Sequence, residues 1–283
     1  MGCADPIGNR TRELALSAAM PDGSPYLSLG IHAARELAAE CGETLRAIEV
    51  AALGAGVIPE RYIRNFSTLD CQGQVRLLCS KAVLIGLGGL GGLLLEAMVR
   101  MGVGTIEAAD GDSFEESNLN RQLTSTTDIV DIPKTRAATV RAMTVNPAVD
   151  FLAHEVMVDE SDMLAMCEDA HVVVDALGGL DDRPALQRVA ARAGLPLVTA
   201  GIAGLSGYVA TVMPGQPGPA DFFGASTGAE DALGSPAPGV YTAASLQSAE
   251  IMRLLGTGTP ALAGKMLLFD LRDMSFETID IAS

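Results

Sequence analysis

The sequence predicts an α/β protein built on a doubly wound, mostly parallel sheet, with antiparallel strands near its C-terminus and a small helical N-terminal prefix. Three observations predict it. From Lys81 onward, short apolar runs of strand length alternate with helical stretches. A glycine turn, Gly86-Leu87-Gly88-Gly89-Leu90-Gly91, separates the first run from the first helix. The last third replaces that alternation with a strand, a long loop, a helix and two closing strands.

Each element follows from its local pattern. In the prefix, Leu27, Ile31, Ala34, Leu37 and Ala38 recur at helical spacing, as do Leu45, Ile48 and Ala52. Gly54, Gly56 and Pro59 end the pattern, so residues 1–58 are expected as a helical extension and 59–283 as the main domain. Residues 81–87 form an apolar run suited to a strand buried on both faces. Residues 93–101 are expected as a helix closed by Gly102, and 104–110 as a second strand. Residues 134–144 are helical up to Asn146-Pro147, with a third strand over 149–156. A fourth strand over 171–175, a helix over 183–192 and a fifth strand over 195–200 continue the alternation. After a strand at 208–213, the Gly-, Pro-, Ala- and Ser-rich residues 214–239 are expected as a long crossover loop. An amphipathic helix over 243–255 and a hairpin over 265–271 and 275–281 close the chain.

Composition removes several functions. The 283 residues carry 19 Lys+Arg against 35 Asp+Glu, a net charge of −16, which argues against a basic grip on nucleic acid. With 7 Phe, 4 Tyr and no Trp, stacking platforms for single strands are not expected either. The longest uncharged apolar stretch, residues 82–95, contains five glycines and falls short of the roughly 20 residues of a membrane span. No secretory signal pattern opens the chain. The five cysteines (Cys3, Cys41, Cys71, Cys79 and Cys167) form no C-x-x-C pair, so neither a disulfide framework nor a cysteine zinc site is expected, and the cytoplasm is the expected compartment. His32, His154 and His171 each lie apart from any candidate nucleophile, so imidazole chemistry is not expected.

The glycine turn lets backbone N–H groups approach a phosphate at a helix N-terminus. Asp110 follows Gly91 by 19 residues, at the end of the second strand, where a carboxylate can bond a ribose hydroxyl. These features alone fit NAD, FAD or ATP. Asp110-Gly111-Asp112 then leads into Asn118-Leu119-Asn120-Arg121-Gln122, and Lys134 follows twelve residues later. An Arg and a Lys delivered there suit a triphosphate, which this acidic chain must neutralise locally with cations and Mg²⁺.

The run "VLIGLGGLGG…MGVGTIEAADGDSFEESNLNRQ…PKTRAATVRAMTVNP" resembles the ATP-binding domain of the HesA/MoeB/ThiF adenylyltransferases, relatives of the ubiquitin-activating enzymes. The resemblance extends from "RYIRN" through "GVYTAASLQSAEIMRLL" to "LLFDLRDMSFETI". It implies a Rossmann-like fold in which Gly86, Gly88, Gly89, Leu90 and Gly91 form the phosphate loop, with Asp110 on the ribose and Asp112 beside it. It further implies that Asn118 and Arg121 contact the phosphates, and that Lys134 stabilises charge as pyrophosphate leaves. Arg64 would be an arginine finger reaching the ATP of the other subunit in a homodimer. The implied substrate is the C-terminal Gly-Gly tail of a ubiquitin-like sulfur-carrier protein of the ThiS/MoaD type, in thiamine or molybdopterin-type biosynthesis.

Three departures qualify the resemblance. Gly178 stands where the family commonly places a Mg²⁺-binding aspartate; Asp181 or Asp182 is the replacement, and capping of the following helix is their alternative role. The family's zinc-binding cysteine pairs are absent, so no zinc is implied. No cysteine follows Cys167, so an enzyme of this sequence is expected to stop at the adenylate. The alternatives are a nucleotide-binding scaffold, or activation of a small-molecule or tRNA-borne carboxylate.

Overall fold

The computed structural model describes residues 6–179, 182–223 and 232–282. The prefix comprises α1 (Pro6–Leu14), β1 (Leu16–Ala19), β2 (Pro25–Leu29), α2 (Ile31–Cys41), α3 (Leu45–Gly54) and β3 (Val57–Pro59). Leu29, Ala34, Leu37, Ile48, Ala52 and Val57 form its own buried cluster. Thr44 caps α3 by accepting from the Ala47 N–H, and Gly42, at φ 67°, ends α2. The prefix is thus more than helical: β1 pairs antiparallel with β2, and β2 parallel with β3. Leu27, which matches helical spacing, lies in β2 and is 37% exposed.

A buried polar joint ties the prefix to the main domain. Glu49 of α3 is 1% exposed, accepts from the Tyr62 hydroxyl at 3.1 Å and lies 3.3 Å from Arg61 Nε. Asn146 donates to the Tyr62 oxygen at 2.9 Å and accepts from Arg61. Arg46 adds an ion pair to Asp150 at 2.7 Å. Burial pushes the Glu49 carboxyl above its ordinary value, against the opposing pull of Arg61 and Tyr62.

The main domain runs α4 (Cys71–Leu78), β4 (Lys81–Ile85), α5 (Gly89–Met101), β5 (Thr105–Ala109), α6 (Lys134–Val145), β6 (Asp150–His154), α7 (Glu160–Met166), β7 (Val172–Asp175) and α8 (Arg183–Ala193). It continues through β8 (Leu197–Ala203), β9 (Ser206–Val212), α9 (Pro219–Phe223), α10 (Ala237–Thr257), β10 (Lys265–Asp270) and β11 (Ser275–Asp280). The eight-stranded sheet has the order β11-β10-β9-β8-β7-β4-β5-β6. The five strands from β6 to β8 are parallel, and the remaining pairings are antiparallel.

Side chains alternate between two buried layers. Ala82 and Leu84 of β4 pack with α5, α6 and α10, whereas Val83 and Ile85 pack with α7 and α8. After β4 the chain builds outward through β5 and β6, then returns to lay β7 on the other side of β4. That reversal opens a crevice beyond the C-terminal ends of β4, β5 and β7, the usual ligand position in such sheets. Strand ends shift by one to three residues, α7 is an element that the sequence pattern does not predict, and two helix starts differ most from expectation. Helix α5 begins at Gly89, so Gly89, Gly91 and Gly92 lie in its first turn. Helix α10 begins at Ala237, and α9 occupies part of the expected crossover loop, whose residues 224–231 lie outside the described residues.

Candidate active site

The crevice holds a cavity of about 780 Å³, within the range of small-molecule sites. Its floor is the glycine turn, and two glycines there are sterically obligatory. A Cβ on Gly86, itself at φ +97°, would lie 2.4 Å from the Ala176 carbonyl oxygen, and one on Gly91 would lie 2.0 Å from the Gly86 oxygen. These contacts bring the N-terminus of α5 against the strand ends, where Gly88 occupies the cap position without a side-chain cap. The exposed end of the helix dipole therefore favours an anion.

Asp110, just beyond β5, is 9% exposed and lines the cavity. One carboxylate oxygen accepts from the Leu87 N–H at 2.6 Å and the other from the Asp112 N–H at 2.8 Å. The carboxylate thus holds the glycine turn in place as well as facing the cavity. Lys134 opens α6, is buried, and pairs with Asp112 at 2.8 Å. The segment between them folds back on itself: Phe114 exchanges backbone bonds with Ile132 and Asp131, and its ring is fully buried. This fold presents Asn118 and Arg121 to the cavity. Asn118 accepts from the Glu115 N–H at 3.1 Å, and Arg121 donates to Ser117 O and Asn120 Oδ1 at 3.2 and 2.8 Å.

Gly86, Gly88, Gly89, Leu90, Asp110, Asp112, Asn118, Arg121 and Lys134 therefore share one cavity, with Gly91 packed beneath. Arg64 does not join them: it is exposed on the 3₁₀ segment Glu60–Asn65, away from the cavity of its own chain. Gly178 and Asp182 both line the cavity, whereas Asp181 lies outside the described residues. Asp182 occupies the cap position of α8, yet its side chain makes no cap bond there. Asp175 is fully engaged, by the Leu177 N–H, the Thr199 hydroxyl and Arg183.

Three contributions escaped the sequence. Gln122, next to Arg121, is 6% exposed beside Gly88, and its Oε1 lacks a hydrogen-bond partner. Val156, Met157, Val158 and Met163 form an apolar end of the cavity and resemble ordinary core residues in the sequence. Arg183 lines the cavity although an arginine at a helix start reads as surface. Among the described residues no cluster of three or more His, Cys, Asp or Glu is arranged to hold a metal, and no helix is long and apolar enough to cross a membrane.

The chain is similar to the SAMP-activating enzyme E1 of Haloferax volcanii, with 34% identity over 233 residues that span 78% of this chain and 84% of that protein. It is also similar to the sulfur carrier protein adenylyltransferase of Thermus thermophilus, with 32% identity over 241 residues that span 78% of this chain and 87% of that protein. The crystal structure of E. coli MccB with AMPCPP and MccA shares the fold, at a TM-score of 0.68 and 21% identity over 78% of this chain and 71% of that one. Residues 60–283 match the ThiF family, which covers the glycine turn, Asp110, Arg121, Lys134 and the closing hairpin, and the chain belongs to that family.

Proposed function

We propose that the protein adenylylates the C-terminal carboxylate of a ubiquitin-like sulfur-carrier protein ending in Gly-Gly, of the ThiS/MoaD type, in thiamine or molybdopterin-type biosynthesis. The observation that carries this reading is the convergence of Arg121, Lys134 and the α5 N-terminus on one cavity. The carrier carboxylate attacks the α-phosphorus of ATP, the bond to the β-phosphate oxygen breaks, and acyl-adenylate and pyrophosphate result. The attacking carboxylate is already ionised at neutral pH, so no general base is needed, in keeping with a cavity that contains no histidine. Positioning and charge neutralisation carry the rate. Lys134, held by Asp112 at 2.8 Å in the chain alone, transfers its charge to the phosphates when ATP enters. The Gln122 amide beside Gly88 and the apolar end near Met157 suit the phosphates and the nucleoside of a bound nucleotide respectively.

Mg²⁺, when bound with ATP, neutralises phosphate charge. Asp182 suits it, as an exposed, uncapped carboxylate in the cavity wall, while Asp175 is held by its partners and Gly178 offers no ligand. The working form is a cytoplasmic homodimer in which Arg64 serves the partner's cavity. A second reading, a nucleotide-binding scaffold, is favoured by Gly178 alone.

Carrier-dependent ATP–pyrophosphate exchange decides between them. Exchange with a Gly-Gly carrier that disappears in Arg121→Ala supports adenylylation; ATP binding without exchange for any cognate carrier supports the scaffold. Asp181→Asn and Asp182→Asn, made singly, show whether either carboxylate sets the Mg²⁺ requirement.

A further inference from the structure

Arg183 is 6% exposed, and its guanidinium is engaged on both edges. Nε donates to the Gly179 carbonyl at 2.7 Å, and Nη2 to the Leu177 carbonyl at 2.9 Å. Nη1 donates to the Ala200 carbonyl on β8 and, at 3.0 Å, to the Tyr208 hydroxyl on β9. Asp175, at the end of β7, lies 3.2 Å away, and its carboxylate also accepts from the Leu177 N–H and the Thr199 hydroxyl. The Tyr208 ring in turn lies 5.2 Å from that of Phe223 at the end of α9. One side chain thus joins three strands to the turn that follows β7.

That turn has little stiffness of its own. Leu177 and Gly178 form part of the cavity wall, and Gly179 takes φ +85°. A Cβ on Gly178 would meet nothing within 4 Å, so no neighbouring side chain confines it. Consecutive glycines have the greatest backbone freedom, and a fork holding two carbonyls at once removes it. The positive charge that does this faces the buried Asp175, and its three nitrogens already donate to carbonyls and the Tyr208 hydroxyl, unlike Lys134, whose partner Asp112 is exposed.

We infer that Arg183 is a positioning residue of the cavity, fixing the Leu177–Gly179 wall through its two carbonyls and thereby the surface against which the nucleotide and Asp182 are set. The inference rests on the reading that the cavity holds ATP.

Arg183→Lys keeps the charge opposite Asp175 but cannot span both carbonyls. Calorimetric titration with ATP, alongside thermal melting, is expected to show affinity about tenfold weaker, as for loss of one charge-assisted bond. Adding Gly178→Ala, which has room and a permitted φ, is expected to restore part of that affinity by restricting the turn. A role in global stability alone would lower the melting temperature while the folded protein bound ATP as wild type does. If Arg183→Lys does not fold, Tyr208→Phe, which removes only the hydroxyl behind the clamp, is expected to weaken ATP about two- to threefold. Wild type that binds ATP while Arg183→Lys, or Tyr208→Phe in its place, binds equally well overturns the inference alone. Weakened binding that Gly178→Ala does not improve also overturns it. Wild type that binds no ATP overturns the nucleotide reading, and the inference with it.

Discussion

Gly91→Ala should be among the most damaging single-methyl changes in the protein, and its neighbour Gly92→Ala among the mildest. The added Cβ at 91 would sit 2.0 Å from the Gly86 carbonyl oxygen and 2.7 Å from its carbon, about 1.4 Å inside ordinary contact. Gly86 cannot retreat, because its N–H is bonded to the Ala109 carbonyl at 2.9 Å and its Cα faces the Ala176 carbonyl. Helix α5 must therefore lift from the sheet, loosening Leu94, Leu95 and Met98, all essentially fully buried. Overpacking of this kind costs about 1–3 kcal/mol, and against backbone atoms the upper end applies. Helix propensity returns about 1 kcal/mol, leaving a net loss of about 2 kcal/mol, or roughly 4–8 °C in Tm. At Gly92 the nearest atom is Thr124 Oγ1 at 3.5 Å, so only the propensity gain remains, about 1 kcal/mol of added stability. Urea denaturation of the two variants under matched conditions should separate them by about 3 kcal/mol. A Gly91→Ala protein as stable as Gly92→Ala would refute the argument that this close approach sets the phosphate turn.

Other perturbations test the remaining parts of the site. Gly178→Asp should leave Tm within about 2 °C of wild type, since nothing lies within 4 Å of the new Cβ, and should tighten Mn²⁺ binding in the presence of ATP; unchanged Mn²⁺ titrations would refute it. Arg64→Ala and Lys134→Ala should each abolish exchange alone yet regain about a quarter of wild-type activity per site when mixed and allowed to reassort, because one hybrid cavity is intact. Failure to complement, with dimers formed, would place Arg64 outside the partner's site. Burial raises the Glu49 carboxyl above its ordinary 4.5, so its contribution to stability is complete below that pH and is lost as pH rises through the folded value. Wild type should accordingly lose stability relative to Glu49→Gln as pH rises above the ordinary glutamate value in urea titrations, and an opposite slope would show that Arg61 outweighs the burial.

Legibility in this sequence follows the physical origin of each feature. The β4-α5-β5 unit was readable because a strand buried on both faces must be apolar throughout, and because a helix start pressed to 2.0 Å of a carbonyl admits only glycine. Arg121 and Lys134 stood out because their charges are rare in so acidic a chain. The prefix sheet was hidden for the opposite reason: β1 is mostly exposed, and its pairing with β2 depends on a partner rather than on its own pattern. Helix α7 is only seven residues long, and its clearest mark is the Asp159 carboxylate accepting from the Ser161 and Asp162 N–H groups, a capping signal without a long periodic run behind it. Arg183 shows the limit most sharply. In sequence it is a cation at a helix start, where solvent exposure is the ordinary fate. Only when β8 and β9 come beside β7 does its guanidinium meet the Ala200 carbonyl and the Tyr208 hydroxyl and become buried. Constraints that act on a residue through its own backbone leave a trace in local spacing, whereas those assembled from several strands do not. The burial of Arg183 against Ala200 and Tyr208 belongs to the second kind, so testing Arg183 takes precedence over the more visible charges beyond Arg121 and Lys134.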